Sequence, residues 1–147
     1  MQHDDSARRN SGAKGPEDVR LLEAWLAEHP NDSRAWFYLA RSYQMVNEPA
    51  KAFSAYARRC ELRGGDPQEI AVSRLFMGKI MTVSKDPILA NENYMLSYRA
   101  DPFRAEALCG IAANCIDVED AVGAEMAARQ ACALTDPPGR IFSEQAA

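Results

Sequence analysis

Apolar and small residues fall at helical spacings from residue 36 onward: Trp36, Leu39, Ala40 and Tyr43 stand at i, i+3, i+4 and i+7, and Ala52 and Tyr56 continue the pattern on a second stretch. The series returns thirty-eight residues later as Arg74, Met77, Gly78, Met81, Ala90 and Tyr94. It returns again after a further thirty-four as Leu108, Ile111, Ala112, Cys115, Ala124 and Ala128. A period in this range predicts stacked helix pairs, each burying its apolar face against the next. Small residues recur at 40, 78 and 112 and at 52, 90 and 124. Two helices approach closely only where both carry a small side chain, so Ala40 with Ala52, Gly78 with Ala90, and Ala112 with Ala124 are the expected crossing pairs.

Helix punctuation agrees with the period. Asp66-Pro67, Asp86-Pro87 and Asp101-Pro102 each place a capping carboxylate before a proline, whose missing N–H costs nothing in a first turn. Glu69 completes a capping-box-like start after Asp66, and Gly64-Gly65 can end the preceding helix in a left-handed conformation. Seven helices are predicted, near 16–29, 32–46, 49–63, 67–83, 87–99, 102–116 and 120–134. Residues 1–15 read as a disordered, mobile tail and 135–147 as an irregular one, around a helical domain of 16–134. The first helix, with Val19, Leu21, Leu22, Trp25 and Leu26, is a half-repeat that caps the front. The fold class expected is an all-α, right-handed α-solenoid of about three helical hairpins.

Composition narrows the function classes. The 147 residues suit one domain, and 47% of them are apolar, enough for a core. A net charge of −4 and a pI near 5.2 have the wrong sign for gripping nucleic acid. No run reaches the ~18 apolar residues of a membrane span, and Met1 to Gly15 is too polar for a secretory signal, so a cytoplasmic protein is expected. Cys60, Cys109, Cys115 and Cys132 form no Cys-x-x-Cys pair, and the histidines are His3 and His29. They read as reduced, small apolar residues, Cys109 on a core-like helix, with no metal and no cofactor expected.

The residues at 36, 39, 40, 43, 52 and 56 are similar to the tetratricopeptide consensus of Trp, Leu, Gly or Ala, Tyr, Ala and an aromatic. The second repeat keeps Gly78, Ala90, Tyr94 and a closing Pro102 but has Arg74 in the Trp position, and the third keeps only small and aliphatic residues. A narrower resemblance covers about residues 18–115. Arg34 to Tyr43, Ala55 to Arg59 with Gly64-Gly65, and Asp101 to Leu108 look like the helical region attached to certain bacterial nucleotide-sugar glycosyltransferases. That resemblance implies an appendage that positions an acceptor or partner beside a separate catalytic domain. No strand-rich segment and no Asp-x-Asp-like metal pair accompany it in this chain. Asp117, Glu119 and Asp120 sit at a predicted helix junction, where acids cap helices, and Asp4-Asp5 lies in the front tail. No catalytic constellation is present, and the chain reads as leaning away from an enzyme.

In the tetratricopeptide pattern, the first helix of each pair lines a concave groove. Its positions here are Arg34, Phe37, Arg41, Gln44 and Met45, then Val72, Leu75, Lys79, Thr82 and Val83, then Glu106, Cys109, Ala113, Ile116 and Asp117. Arg34, Phe37, Arg41, Gln44, Leu75 and Lys79 are the candidate contacts for a protein or an extended, acidic peptide. The lysine and asparagine set of the carboxylate-clamp tetratricopeptides is not reproduced. At the far end, Ala121, Ala124, Ala128 and Ala131 are expected to pack inward, leaving Val122, Met126 and Ala133 for another cover. Either the tail, through Ile141 and Phe142 beyond the turn at 136–139, or a second chain in a homodimer would supply it.

Overall fold

The computed structural model describes residues 14–134, the side chain of Lys14 excepted. Its helices are α1 (Lys14–Glu28), α2 (Ser33–Met45), α3 (Pro49–Glu61), α4 (Pro67–Val83), α5 (Pro87–Ala100), α6 (Ala105–Asp117) and α7 (Ala121–Cys132). No strand occurs among the described residues. The chain divides between Arg63 and Gly64 into two compact units, the first holding α1 to α3 and the second α4 to α7. Asp4, Asp5, the 136–139 turn, Ile141 and Phe142 lie outside the described residues.

The turn inside each helical hairpin is built one way three times. Asn47, Lys85 and Glu119 take left-handed φ values of 59°, 62° and 60°. Each hands its N–H back to a carbonyl three residues earlier, and the following residue, Glu48, Asp86 or Asp120, bonds to the carbonyl five earlier (Glu48 to Tyr43 at 2.9 Å, Asp86 to Met81 at 3.0 Å, Asp120 to Cys115 at 2.8 Å). This is the Schellman closure, which satisfies carbonyls that a helix end leaves orphaned. The closing residue then serves as N-cap of the next helix. Asp86 Oδ1 accepts from Leu89 N at 3.0 Å and Asp120 Oδ1 from Gly123 N at 2.9 Å, whereas Glu48 makes no side-chain cap bond. One methylene too many places its carboxylate out of register. Glu48→Asp is therefore expected to stabilise the chain by about 0.5–1 kcal/mol, read as a rise in the denaturation midpoint. An unchanged or lower midpoint would show that Glu48 has another structural role.

In the first unit, α2 packs on α1 and α3. Leu26, Ala35, Phe37, Leu39, Ala40, Ala52, Ala55 and Tyr56 are buried, with the Phe37 and Tyr56 rings edge-on at 6.2 Å. Of the apolar residues expected to anchor α1, only Leu26 is buried; Leu21 and Trp25 are 63% and 49% exposed. Trp25 works at the α1–α2 corner instead. Its ring stacks on His29 at 3.9 Å, and its indole N–H donates to Asp32 Oδ2 at 2.8 Å. Asp32 also caps α2 by accepting from Ala35 N at 3.0 Å.

These donors, the Ala35 N–H first and the Trp25 indole next, hold the Asp32 carboxyl below the ordinary aspartate range. A depressed value means that folding favours the ionised form. The stabilisation is complete above the ordinary aspartate range near ~3.9 and is lost as pH falls through the lower native value. Asp32→Asn, which keeps the cap but removes the titration, should give a shallower acid limb in tryptophan-monitored unfolding. An acid limb as steep as the parent's would remove Asp32 from the account.

In the second unit, α4 packs on α5 and α6, α5 on α6, and α6 on α7. Leu75, Ala90, Tyr94 and Ala107 form the core, with Met81, Tyr98 and Ile111 against it. Arg74, which stands in the Trp position of the repeat, donates from Nη1 to the buried Asn93 Oδ1 at 3.2 Å. Asn93 in turn occupies the repeat position of Ala55. A polar pair thus replaces an aromatic and a small residue, and Asn93 Nδ2 is satisfied by Leu89 O at 2.9 Å.

Three expectations are corrected here. Asp101-Pro102 does not start a helix: Asp101 is the C-cap of α5, its Oδ1 accepts from Phe103 N at 3.3 Å, and α6 begins at Ala105. The inward stripe of α7 is Ala124, Ala127 and Ala131, while Ala121 and Ala128 are exposed, because the helix is rotated from the alanine alignment read off the repeat. Cys109 is exposed rather than core, and none of the four cysteines is joined in a disulfide. Val122 and Met126 stand 70% and 68% exposed among the described residues.

Candidate protein-interaction surface

The first helices of the hairpins, α2, α4 and α6, carry the groove positions read from the repeat. On α2, Arg34 is exposed and lies over the Tyr38 ring, its guanidinium carbon 5.7 Å from the centroid and Nη2 donating to the Tyr38 hydroxyl at 3.4 Å. Residues four apart share a helix face, so the pair forms one amphipathic knob. Tyr38, 41% exposed, was not among the sequence candidates; its i+4 relation to Arg34 is the signal that could have found it. Arg41 and Gln44 are half-buried, and Gln44 Oε1 accepts from the buried Tyr56 hydroxyl. Burial raises the Tyr56 hydroxyl's pKa, while nearby Arg41 pulls it the other way. Met45 completes the face at 70% exposed.

Phe37 and Leu75 do not belong to any surface. Both are 1% exposed, as is Val72, and they fill the cores of their units. The repeat offset assigns them a groove position, but helix packing takes that position for burial. Cys109, in the same position on α6, remains exposed.

Lys79 on α4 is half-buried, its ammonium 5.4 Å from the Phe76 ring centroid. Burial lowers its pKa, and the carboxylate of Glu106 on α6 opposes that shift. Lys79 and Glu106 thus influence each other electrostatically. Glu106 also bonds to the buried Arg104 guanidinium, Oε1 to Nη1 at 3.6 Å. What the second unit offers outside this pair is mostly apolar: Val83 and Ile116 are 81% and 67% exposed, with Cys109 and Ala113 also at the surface.

The acidic cluster at 117–120 resolves into separate duties. Asp120 caps α7, Glu119 occupies the left-handed turn, and Asp117 sits beside a cavity at the α4–α5 turn.

A second concavity, of about 470 Å³, lies in the first unit between Trp36 and Tyr43 of α2 and Ala50, Lys51, Ser54, Ala55 and Arg58 of α3. Tyr43 donates its hydroxyl hydrogen bond to Glu23 of α1, and burial together with that bond pushes its pKa up to about 12. Lys51 and Arg58 at its edge are paired with Glu48 and Glu61 at 3.8 and 3.0 Å.

Paired antiparallel helices, each closed by the same turn and recurring at the interval of the sequence repeat, define an all-α solenoid of the tetratricopeptide type. No protein-family model and no curated protein sequence matches the chain. Solved structures do. The crystal structure of MamA superposes with a TM-score of 0.75 at 13% identity, over 92% of this chain and 77% of that one. A second MamA crystal structure gives 0.75 and 13% over 87% and 68%. The APC/C hetero-tetramer Cut9-Hcn1 gives 0.65 and 23% over 81% of this chain but 22% of its own. MamA and Cut9-Hcn1 are tetratricopeptide-type proteins, and the likeness is one of fold. No described helix is long and apolar enough to cross a membrane.

Proposed function

We propose that this chain is a non-catalytic module that binds a protein or an extended peptide through the exposed faces of its first helices. The observation that carries the reading is the face of α2, where Arg34, Tyr38, Arg41 and Met45 leave two guanidinium groups, an aromatic ring and a thioether at or near the surface. Arg and Tyr are the residue types that concentrate binding energy, and two cations on one face favour an acidic partner. Lys79, half-buried and within the electrostatic influence of Glu106, contributes less to this reading.

The test is an Arg34→Glu, Arg41→Glu variant, compared with the parent on an array of extended peptides of graded net charge. The parent should retain acidic peptides and the variant should lose them by about tenfold or more, with its helical circular dichroism unchanged. Equal retention by both would remove α2 as the binding face.

Residues 18–115 also support a narrower version, in which the module serves a glycosyltransferase whose catalytic domain lies on another polypeptide. Co-purification with a sugar-nucleotide enzyme from the native cell would favour it, and a reconstituted pair whose transfer rate is unaltered by this chain would remove it. A cytoplasmic setting and self-association through α7 are further parts of the proposal, the latter resting on the exposed Val122 and Met126. Sedimentation of the parent against Val122→Ser, Met126→Gln reads it directly.

A further inference from the structure

In the second unit, the α4–α5 turn and the end of α6 border a half-open cavity of about 400 Å³ lined by Thr82, Lys85, Pro87, Asn114, Asp117 and Val118. Its size lies in the range of small-molecule sites. One wall is polar and held in place from behind. The Tyr94 hydroxyl and Thr82 Oγ1 are 3.2 Å apart, Thr82 Oγ1 donates to Asn114 Oδ1 at 3.2 Å, and Asn114 Nδ2 donates to Asn91 Oδ1 at 2.8 Å.

Asn114 is 2% exposed, yet its amide uses one of two N–H donors on Asn91 and has no second partner among the described residues. A buried amide donor left over at a cavity wall is a site for an acceptor. Two charges complete the lining. The Lys85 ammonium and the Asp117 carboxylate form no ion pair or side-chain hydrogen bond with any described residue, so neither neutralises the other. Pro87 and Val118 supply apolar surface beside them.

A carboxylate can accept from Asn114 Nδ2 and Lys85 Nζ, and an ammonium on the same small molecule can donate to Asp117. Apolar substituents then lie against Pro87 and Val118. We propose that this cavity binds a free α-amino acid with a small apolar side chain. This ligand class is independent of the peptide-binding face of α2, and an Arg34→Glu, Arg41→Glu variant should bind it as the parent does.

The experiment titrates the full chain by calorimetry with alanine, valine, leucine and proline at millimolar concentration, and with their N-acetyl and carboxamide derivatives. At least one free amino acid should bind, with the two derivatives about tenfold or more weaker, since each removes one charge-assisted contact. Lys85→Gln and Asp117→Asn should each weaken binding by a similar factor, while Val122→Ser leaves it intact. Both changes are at exposed positions, and circular dichroism confirms the fold. Absence of binding by all four amino acids overturns the proposal. So does binding that survives both substitutions, or an N-acetyl or carboxamide derivative that binds as tightly as its parent.

Discussion

Replacing Arg104 by methionine is expected to destabilise the protein by about 3 kcal/mol. The guanidinium is 1% exposed and sits between two carboxylates, Nε at 3.5 Å from Asp101 Oδ2 and Nη1 at 3.6 Å from Glu106 Oε1. Those carboxylates are themselves only 11% and 22% exposed. Removing the cation leaves two acids poorly hydrated and side by side, which costs more than the attraction of the intact set contributes. Their partial exposure keeps the expected figure at the low end of the ~3–5 kcal/mol range for broken buried pairs. Urea denaturation measures it. Arg104→Met combined with Asp101→Asn and Glu106→Gln should recover a large part of the loss, because the uncompensated charge is then gone. If the single variant is as stable as the parent, the buried ion set has no structural weight.

Gly110→Ala is expected to cost about 1–3 kcal/mol, against the usual gain of ~1 kcal/mol for such a change inside a helix. The sign is reversed by Tyr94. A Cβ at Gly110 would stand 2.5 Å from the Tyr94 ring, and a Cβ at Gly78 on the opposite helix 2.6 Å from the same ring. Tyr94 is 3% exposed and its hydroxyl is tied to Thr82, so the ring has little room to yield. Gly78→Ala should behave alike. With Tyr94→Leu as background, the penalty at Gly110 should shrink or change sign, and the double-mutant cycle isolates that coupling. Additive losses would show that the ring is not what excludes a methyl group there.

Gly110 occupies the repeat position filled by Tyr38 and Phe76 in the preceding copies, and Tyr94 that of Tyr56. An aromatic lost at one repeat position therefore accompanies the seat for another, and the substitution was visible in the sequence. Its meaning was not, because nothing local connects residue 94 to residue 110. Gly78 was readable as a crossing residue, but the group nearest to it is Tyr94.

The interaction surface divides in the same way. Arg34 and Arg41 were legible from their helical offsets, and Tyr38 follows from Arg34 by the i+4 relation. Phe37 and Leu75 are buried, and Lys79 feels the charge of Glu106, because of neighbouring helices that the repeat offset does not describe. The cavity beside Asn114 brings together residues from 82 to 118 and could not be read from any one segment.

The seven helices, their repeat and most of their starts follow from the sequence by itself, because periodicity, N-capping aspartates and prolines act through bonds within a turn or two. Even the three left-handed residues at 47, 85 and 119 keep the offsets of the repeat. Only the tertiary structure decided that Asp101-Pro102 closes a helix and that Arg104 is interred between acids. It likewise decided that Tyr94 wedges between two glycines and that α7 turns Val122 and Met126 outward. Each of those outcomes depends on side chains many residues away competing for the same volume or the same charge. No local pattern encodes that competition until the helices are packed.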